Sequence, residues 1–296
     1  VGDSSTQGTI EAALQDDDAD VRVAAAFALS QLWAWPLAPL ERVTMEAPAE
    51  AALDSALQQE RSELRRGRGS MDVAAALVRA LGEIGDEPTA GRLWEIAADE
   101  DATSSLREQA WFALGMRGKR GHAVTAERAP ALVSGLSGAT AFSAAWAVAR
   151  STVADDAKSA VSEALRAAYD GAEGDAAAWI LRALGKTGGG EALWTTGLGS
   201  DDPRLRLSAV RGAAAAKAAE VLIAGTVDAD EQVAVEALSA LAGTPNDDAW
   251  RALHPAEPLD PPREAARLAG LAGFLAQAEE PLNTDTAPAD PDPAPA

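Results

Sequence analysis

Asp16, Asp18 and Asp20 stand at alternate positions of "QDDDADVRVAAAFALSQLW", residues 15–33. That is the spacing of the first three oxygen ligands in an EF-hand calcium loop, which also needs glycine at its sixth position and a bidentate glutamate at its twelfth. Val21 and Phe27 stand there instead, which leaves room only for a loose surface calcium site. "GKTGGG", 185–190, has the end of a phosphate-binding loop, but Ile180 occupies the position of the required leading glycine. It reads as an inter-helix turn. The two histidines, His122 and His254, are followed by Ala123 and Pro255 and form no persuasive Ser-His-Asp set. There is no cysteine, so disulfides, thiol catalysis and Cys-zinc sites are all excluded. The sequence therefore nominates no catalytic residue, no metal site and no cofactor.

The elements around the acidic stretch explain it better. "VRVAAAFALSQL" from Val21 returns as "VAAALVRALGEIG" from Val73 and "LREQAWFALGMRG" from Leu106. Further copies begin at Phe142, Ala176, Leu205 and Val233, and a degenerate one near Arg263. The unit is about thirty residues, with one long insertion after the first copy. Three places before these anchors stand Asp18, Ser70, Thr103, Ala139, Glu173, Asp202, Asp230 and Asp260. Most of these carry a side-chain oxygen able to accept the free N–H groups of a helix's first turn. Pro203 and Pro261 follow in two units, at the position where a missing N–H costs nothing. Asp18 thus reads as a helix cap rather than a calcium ligand.

A capped apolar helix, a Gly-rich turn and a second apolar segment ("EPTAGRLWEIAAD", "DDAKSAVSEALRAAYD", "AAKAAEVLIAGTVD") describe a helical hairpin. Such a hairpin hides its apolar face only against copies of itself. Over about residues 10 to 278 the chain resembles HEAT-repeat proteins of the short PBS-lyase type. The resemblance implies an all-α fold, a right-handed α-solenoid of seven or eight hairpins over residues 1–280, with an insertion at 34–70. Pro36 and Pro39 interrupt any helix in that insertion, and a helix is expected from Ala49 to Arg66. Residues 281–296, "PLNTDTAPADPDPAPA", read as a stiff Pro/Asp-rich spacer leading to a further domain or attachment point. "PPREAARLAGLAGFLAQAEEP" fits a cap on the array.

The net charge is −21, from 46 acidic and 25 basic residues. It argues against nucleic acid and anionic membranes, which need clustered cations. No apolar run is long enough for membrane insertion. The excess of Arg over Lys and the wealth of Ala point to a GC-rich, bacterial source. The absence of an initiator residue and the Pro-rich tail favour an exported protein over a cytoplasmic one. The chain is expected to be a monomer.

Enzymes also use this architecture. Resemblance to deoxyhypusine hydroxylases would imply iron held by His-Glu pairs, and none is present. DNA glycosylases of HEAT-like build would need a basic channel. Bilin lyases remain as an alternative, with a tetrapyrrole or its carrier protein as target; a structural spacer is another.

The eight tryptophans carry the remaining signal, because Trp joins a large apolar area to a polar N–H and concentrates at interaction hot spots. Trp111, Trp146 and Trp179, in first helices, are expected to fill the Ala-lined core. Trp94, Trp194 and Trp250 lie in second helices, which line the concave face in proteins this chain resembles; each either packs into the core or stays half exposed there to meet a ligand. With Arg92, Glu95, Glu191 and Arg251 they are the nominated contacts for a protein or peptide partner. For Arg22, Arg107 and Arg206, one place after their anchors, the resemblance implies a ladder with acidic turn residues of neighbouring units, Asp202 or Asp230 being suitable partners.

Overall fold

A computed structural model describes residues 4–32, 39–84, 87–118, 122–244, 246–255 and 258–278. Trp33, Trp35, Pro36 and the 281–296 spacer lie outside them. The chain divides into two compact units, Val1–Ala216 and Lys217–Ala296. The fold is an all-α solenoid, as the repeats require.

In the first unit, one row of helices is α2 (Ala19–Leu32), α4 (Met71–Glu83), α6 (Ser104–Gly118), α8 (Ala141–Arg150), α10 (Gly174–Leu184) and α12 (Pro203–Ala216). They alternate with α1 (Ser4–Ala13), α3 (Pro39–Arg65), α5 (Glu87–Ala98), α7 (Ala129–Gly135), α9 (Lys158–Tyr169) and α11 (Glu191–Leu198). The second unit holds α13 (Ala219–Gly225), α14 (Glu231–Ala240), α15 (Asp247–Ala252) and α16 (Pro261–Ala278). In that unit α14 packs along α16, as its even-numbered counterparts do in the first.

The caps expected from sequence are in place. The Ser70 hydroxyl accepts the Val73 N–H, and the Thr103 hydroxyl accepts that of Leu106 at 3.3 Å. Asp18 accepts from Asp20 at 2.9 Å, Asp202 from Arg204 at 2.9 Å and Asp260 from Arg263 at 3.1 Å. Asp230 takes two N–H groups, from Gln232 at 2.9 Å and Val233 at 3.2 Å. Glu173 caps α10 by position without a side-chain bond, and Ala139 falls in a single 3-10 turn, Gly138–Thr140.

Packing corrects the unit boundary. In the first unit every odd-numbered helix but α7 leans chiefly on the even-numbered helix that follows it, as in α1–α2, α3–α4, α5–α6, α9–α10 and α11–α12, rather than on the one before; the short α7 rests more on α5 and α9. The structural hairpin therefore begins half a repeat earlier than the capped helix suggests. The insertion supplies α3, longer than expected. Pro39 opens this helix instead of breaking it, and Pro48 lies inside.

The even-numbered helices approach closely along the row, and the Ala-Leu-Gly triplets show why. A Cβ added at Gly82 would sit 2.7 Å from Ala113 Cα, at Gly115 2.9 Å from Ala147 Cα, and at Gly185 2.5 Å from the Gly212 carbonyl oxygen. Gly82 and Gly115 are thus contact points within helices, not turn residues. The odd-numbered helices touch one another less extensively. Two parallel two-residue strands, Ala123–Val124 and Thr152–Val153, join corresponding linkers of adjacent repeats. No periodicity in the sequence signals them.

Candidate partner-binding face

Of the three nominated tryptophans, two are core residues. Trp194 is 0% exposed and donates its indole N–H to the Leu181 carbonyl at 2.8 Å. Trp94 is 8% exposed and meets Trp111 edge-on, with centroids 5.2 Å apart. Both rings point into the space between the two rows, so neither presents a face to a partner. Trp250 is 39% exposed and lies in the second unit, against His254 at 4.2 Å and Phe274 at 5.3 Å. Arg92 is engaged by Asp54 at 3.0 Å and Glu95 at 3.8 Å. Glu95, Glu191 and Arg251 are exposed, Arg251 pairing with Asp248. The nominated residues are scattered, on α5, α11 and α15, and do not converge.

A different set does converge. The residue before each Ala-Leu-Gly-type triplet is Phe27, Arg79, Phe112, Trp146 and Arg182 in successive even-numbered helices. Every one of them is at least partly exposed. Across α6, α8 and α10 they form an aromatic chain. Phe112 is 5.8 Å from Phe142 and 5.2 Å from Trp146, and Trp146 is 6.3 Å from Trp179, all edge-on. Two arginines lie over the indoles: Arg150 is 4.5 Å from the Trp146 centroid, and Arg182 4.5 Å from that of Trp179. Arg182 Nε also donates to the Ser208 hydroxyl at 3.2 Å. Burial pushes the Arg150 guanidinium below the usual arginine range. Its Nε is enclosed with no hydrogen-bond partner.

So Trp146 and Trp179, expected in the core, are half-exposed, while Trp194, nominated as a contact with core packing as the other reading, is buried. The helical register carried the missing signal. Trp111 precedes Phe112 by one residue, a 100° turn, and is 0% exposed.

The register arginines also differ from expectation. Arg22 donates to the backbone carbonyls of Asp16 at 2.8 Å and Asp17 at 3.1 Å, and Arg206 to those of Ser200 at 3.0 Å and Asp201 at 3.2 Å. Arg107 donates to the Ala97 carbonyl at 3.1 Å. They bind carbonyls at the turn before their own helix, where acceptors left over from the preceding helix collect; Arg22 has in addition Glu60 at 3.5 Å.

Among the described residues no group of three or more His, Asp or Glu could hold a metal, the Asp16–Asp20 stretch included. No single described helix is long and apolar enough to cross a membrane; one bent pair, Ala126–Gly135 with Gly138–Arg150, meets that test by length and composition. The turn after α10 carries Gly188 at φ 76°, as a tight connection needs.

A HEAT-repeat family model matches residues 8–35, the hairpin of α1 and α2. No curated protein matches. Among solved structures, importin β in an ammonium sulfate condition is similar at 13% identity and TM-score 0.51, over 91% of this chain and 40% of that one. An engineered protein matches at 20% identity and TM-score 0.48, over 90% and 78%. Human deoxyhypusine hydroxylase in complex with glycerol matches at 16% and TM-score 0.31, over 93% and 86%. The last two are too distant to carry an argument, and the likeness to importin β concerns the fold alone. The matched hairpin, its recurrence and the stacking of its copies identify the chain as a HEAT-repeat protein.

Proposed function

We propose that this chain is a non-enzymatic module that binds a protein or peptide, and that Phe112, Phe142, Trp146 and Trp179 form the centre of its contact surface. The supporting observation is the continuity of that row. Four large rings on three successive even-numbered helices lie in an unbroken chain of contacts yet stay partly open to solvent. Aromatic rings held rigidly at a half-open surface give much contact area for little lost side-chain freedom, the usual make-up of binding hot spots. A spacer would gain nothing from them. HEAT repeats offer extended surfaces of this kind. Trp250 with Arg251, and Arg92, Glu95 and Glu191, remain outlying contacts in this proposal; Trp94 and Trp194 support the scaffold beneath.

The test is selection of displayed random dodecapeptides on the full chain, with a Phe112→Ala/Trp179→Ala variant as comparison. Both truncations are at partly exposed sites, so the variant should keep its helical circular dichroism. Selected peptides should bind it at least tenfold more weakly. Equal binding to both proteins would remove the row from consideration.

A further inference from the structure

We infer that α16 pairs with the α16 of a second copy of this chain, antiparallel, with the two-fold axis at the level of Gly270. The contact lies in the second unit and does not depend on the reading of the aromatic row. It starts from register. A Cβ on Gly270 would meet the Leu238 carbonyl oxygen of α14, just as one on Gly212 of α12 would meet that of Leu181 of α10. Gly270 is therefore the first member of a triplet, Gly270-Leu271-Ala272, and the equivalence of the other positions follows.

In the first unit the third residue of a triplet rests on the next helix of the row: Gly82 on Ala113, Gly115 on Ala147, Gly185 on Gly212. The residue two places before the triplet is buried in the same row, as Val78, Trp111 and Leu181 are. Leu268 holds that position in α16 and is 52% exposed, with Leu275, seven residues on, at 50%. Ala265, Ala269, Ala272 and Ala276 complete an open stripe with no charged or polar side chain. The segment expected to cap the array thus presents an apolar face. Two of the arginines expected to face water there are engaged within the unit instead: Arg263 donates to the Asp228 carbonyl at 3.0 Å, and Arg267 to that of Leu253 at 3.1 Å.

Spacing selects the occupant. Ala265, Leu268, Ala272 and Leu275 follow the three-four alternation of a coiled-coil seam. In an antiparallel pair centred on Gly270, Leu268 meets the second copy's Ala272, and Ala265 meets the second copy's Leu275. Every layer then holds one large and one small side chain. A parallel pair would set leucine on leucine and alanine on alanine, alternately crowded and hollow. A patch that complements itself in this way is what a two-fold contact between identical chains requires. The residues that follow offer no competing cover, since 279–296 carry Pro281, Pro288, Pro291, Pro293 and Pro295 and a single large apolar side chain, Leu282. The stripe is short, so pairing is weak and depends on concentration. Two chains of charge −21 repel each other, so it also strengthens with salt.

The test is analytical ultracentrifugation of the full chain at about 5 to 500 μM in about 500 mM sodium chloride, which screens the charge. The average mass should climb toward that of a dimer. Leu268→Glu/Leu275→Glu, at two exposed positions, should keep its helical circular dichroism and lose the climb, whereas Phe112→Ala/Trp179→Ala should behave as the unaltered chain. The sequence has no cysteine, so introduced ones read the register. A mixture of Leu268→Cys and Ala272→Cys should cross-link between unlike chains severalfold faster than either variant does with itself. A monomer at every concentration overturns the inference, as does a dimer that survives the double glutamate variant or disappears with the two aromatic side chains. Faster cross-linking of like chains overturns it too, by showing a parallel or unrelated contact. Should the glutamate variant fail to fold, cross-linking decides alone. Each of these results leaves peptide binding by the row to its own selection experiment.

Discussion

Trp194 donates its indole N–H to the carbonyl oxygen of Leu181 at 2.8 Å, in the interior of the first unit. Leu181 lies in the last turn of α10, and Gly185 N–H, which would be its helical partner, turns instead to Arg182 at 3.1 Å. The indole therefore satisfies a buried acceptor that the helix end leaves over. Trp111 is just as buried, but its Nε1 has no hydrogen-bond partner.

Replacing each of these two residues by Phe should thus have unequal effects. Trp194→Phe leaves a void and an orphan carbonyl, and should cost about 2 to 3 kcal/mol in urea unfolding. Trp111→Phe leaves a similar void but also removes an unsatisfied N–H, so its cost should be smaller by about 1 kcal/mol or more. Equal losses would show that the bond to Leu181 contributes nothing.

Gly212 and Gly8 should respond to alanine in opposite directions. A Cβ on Gly212 would lie 2.2 Å from the Leu181 oxygen and 2.5 Å from Trp194 Nε1, whereas nothing lies within 4 Å of one on Gly8. Gly212→Ala should destabilise by about 1 to 3 kcal/mol through overpacking. Gly8→Ala, on an exposed position of α1, should stabilise by about 0.5 to 1 kcal/mol. Thermal and urea unfolding of the two variants read this directly.

In the second unit, Asp230→Ala should cost about 1 kcal/mol, because one carboxylate oxygen serves two first-turn N–H groups of α14. Asp230→Asn should restore most of that. Amide exchange at Gln232 and Val233 should quicken in the alanine variant ahead of exchange elsewhere in the unit.

Salt should stabilise this chain rather than weaken it. Among the described residues most ion pairs are short-range and exposed, such as Arg66–Glu63 and Arg204–Asp202, each worth little. Self-repulsion from a net charge of −21 acts over the whole molecule and is screened as ionic strength rises. The melting temperature should increase between about 20 mM and 500 mM sodium chloride, where the Debye length falls from roughly 20 Å to 4 Å. A fall would mean that local pairs outweigh the overall field.

The helices were legible because their signals are local. An oxygen-bearing residue three places before the first apolar anchor binds first-turn N–H groups whatever the helix later packs against, and Asp18, Ser70, Thr103, Asp202, Asp230 and Asp260 all do so. The binding face was not legible from the tryptophans as a class, since Trp111 and Trp146 differ in burial by register alone. Position relative to Ala-Leu-Gly would have separated them. The pairing of an odd-numbered helix such as α5 with its successor had no local cue, for the apolar stripe of α5 fits either neighbour until the close spacing set by Gly82 and Gly115 is known.

That pairing decides where the gene can be lengthened. Copying the segment from Glu87 to Gly118 adds a helix together with the one it rests upon, so the newcomer arrives with its greasy side already covered. Copying Met71 to Ala98 instead inserts two helices that each await a different companion. Growth of such an array by duplication is therefore easiest when the break falls in the linker ahead of the odd-numbered helix, not at the acidic cap where the eye first divides the sequence.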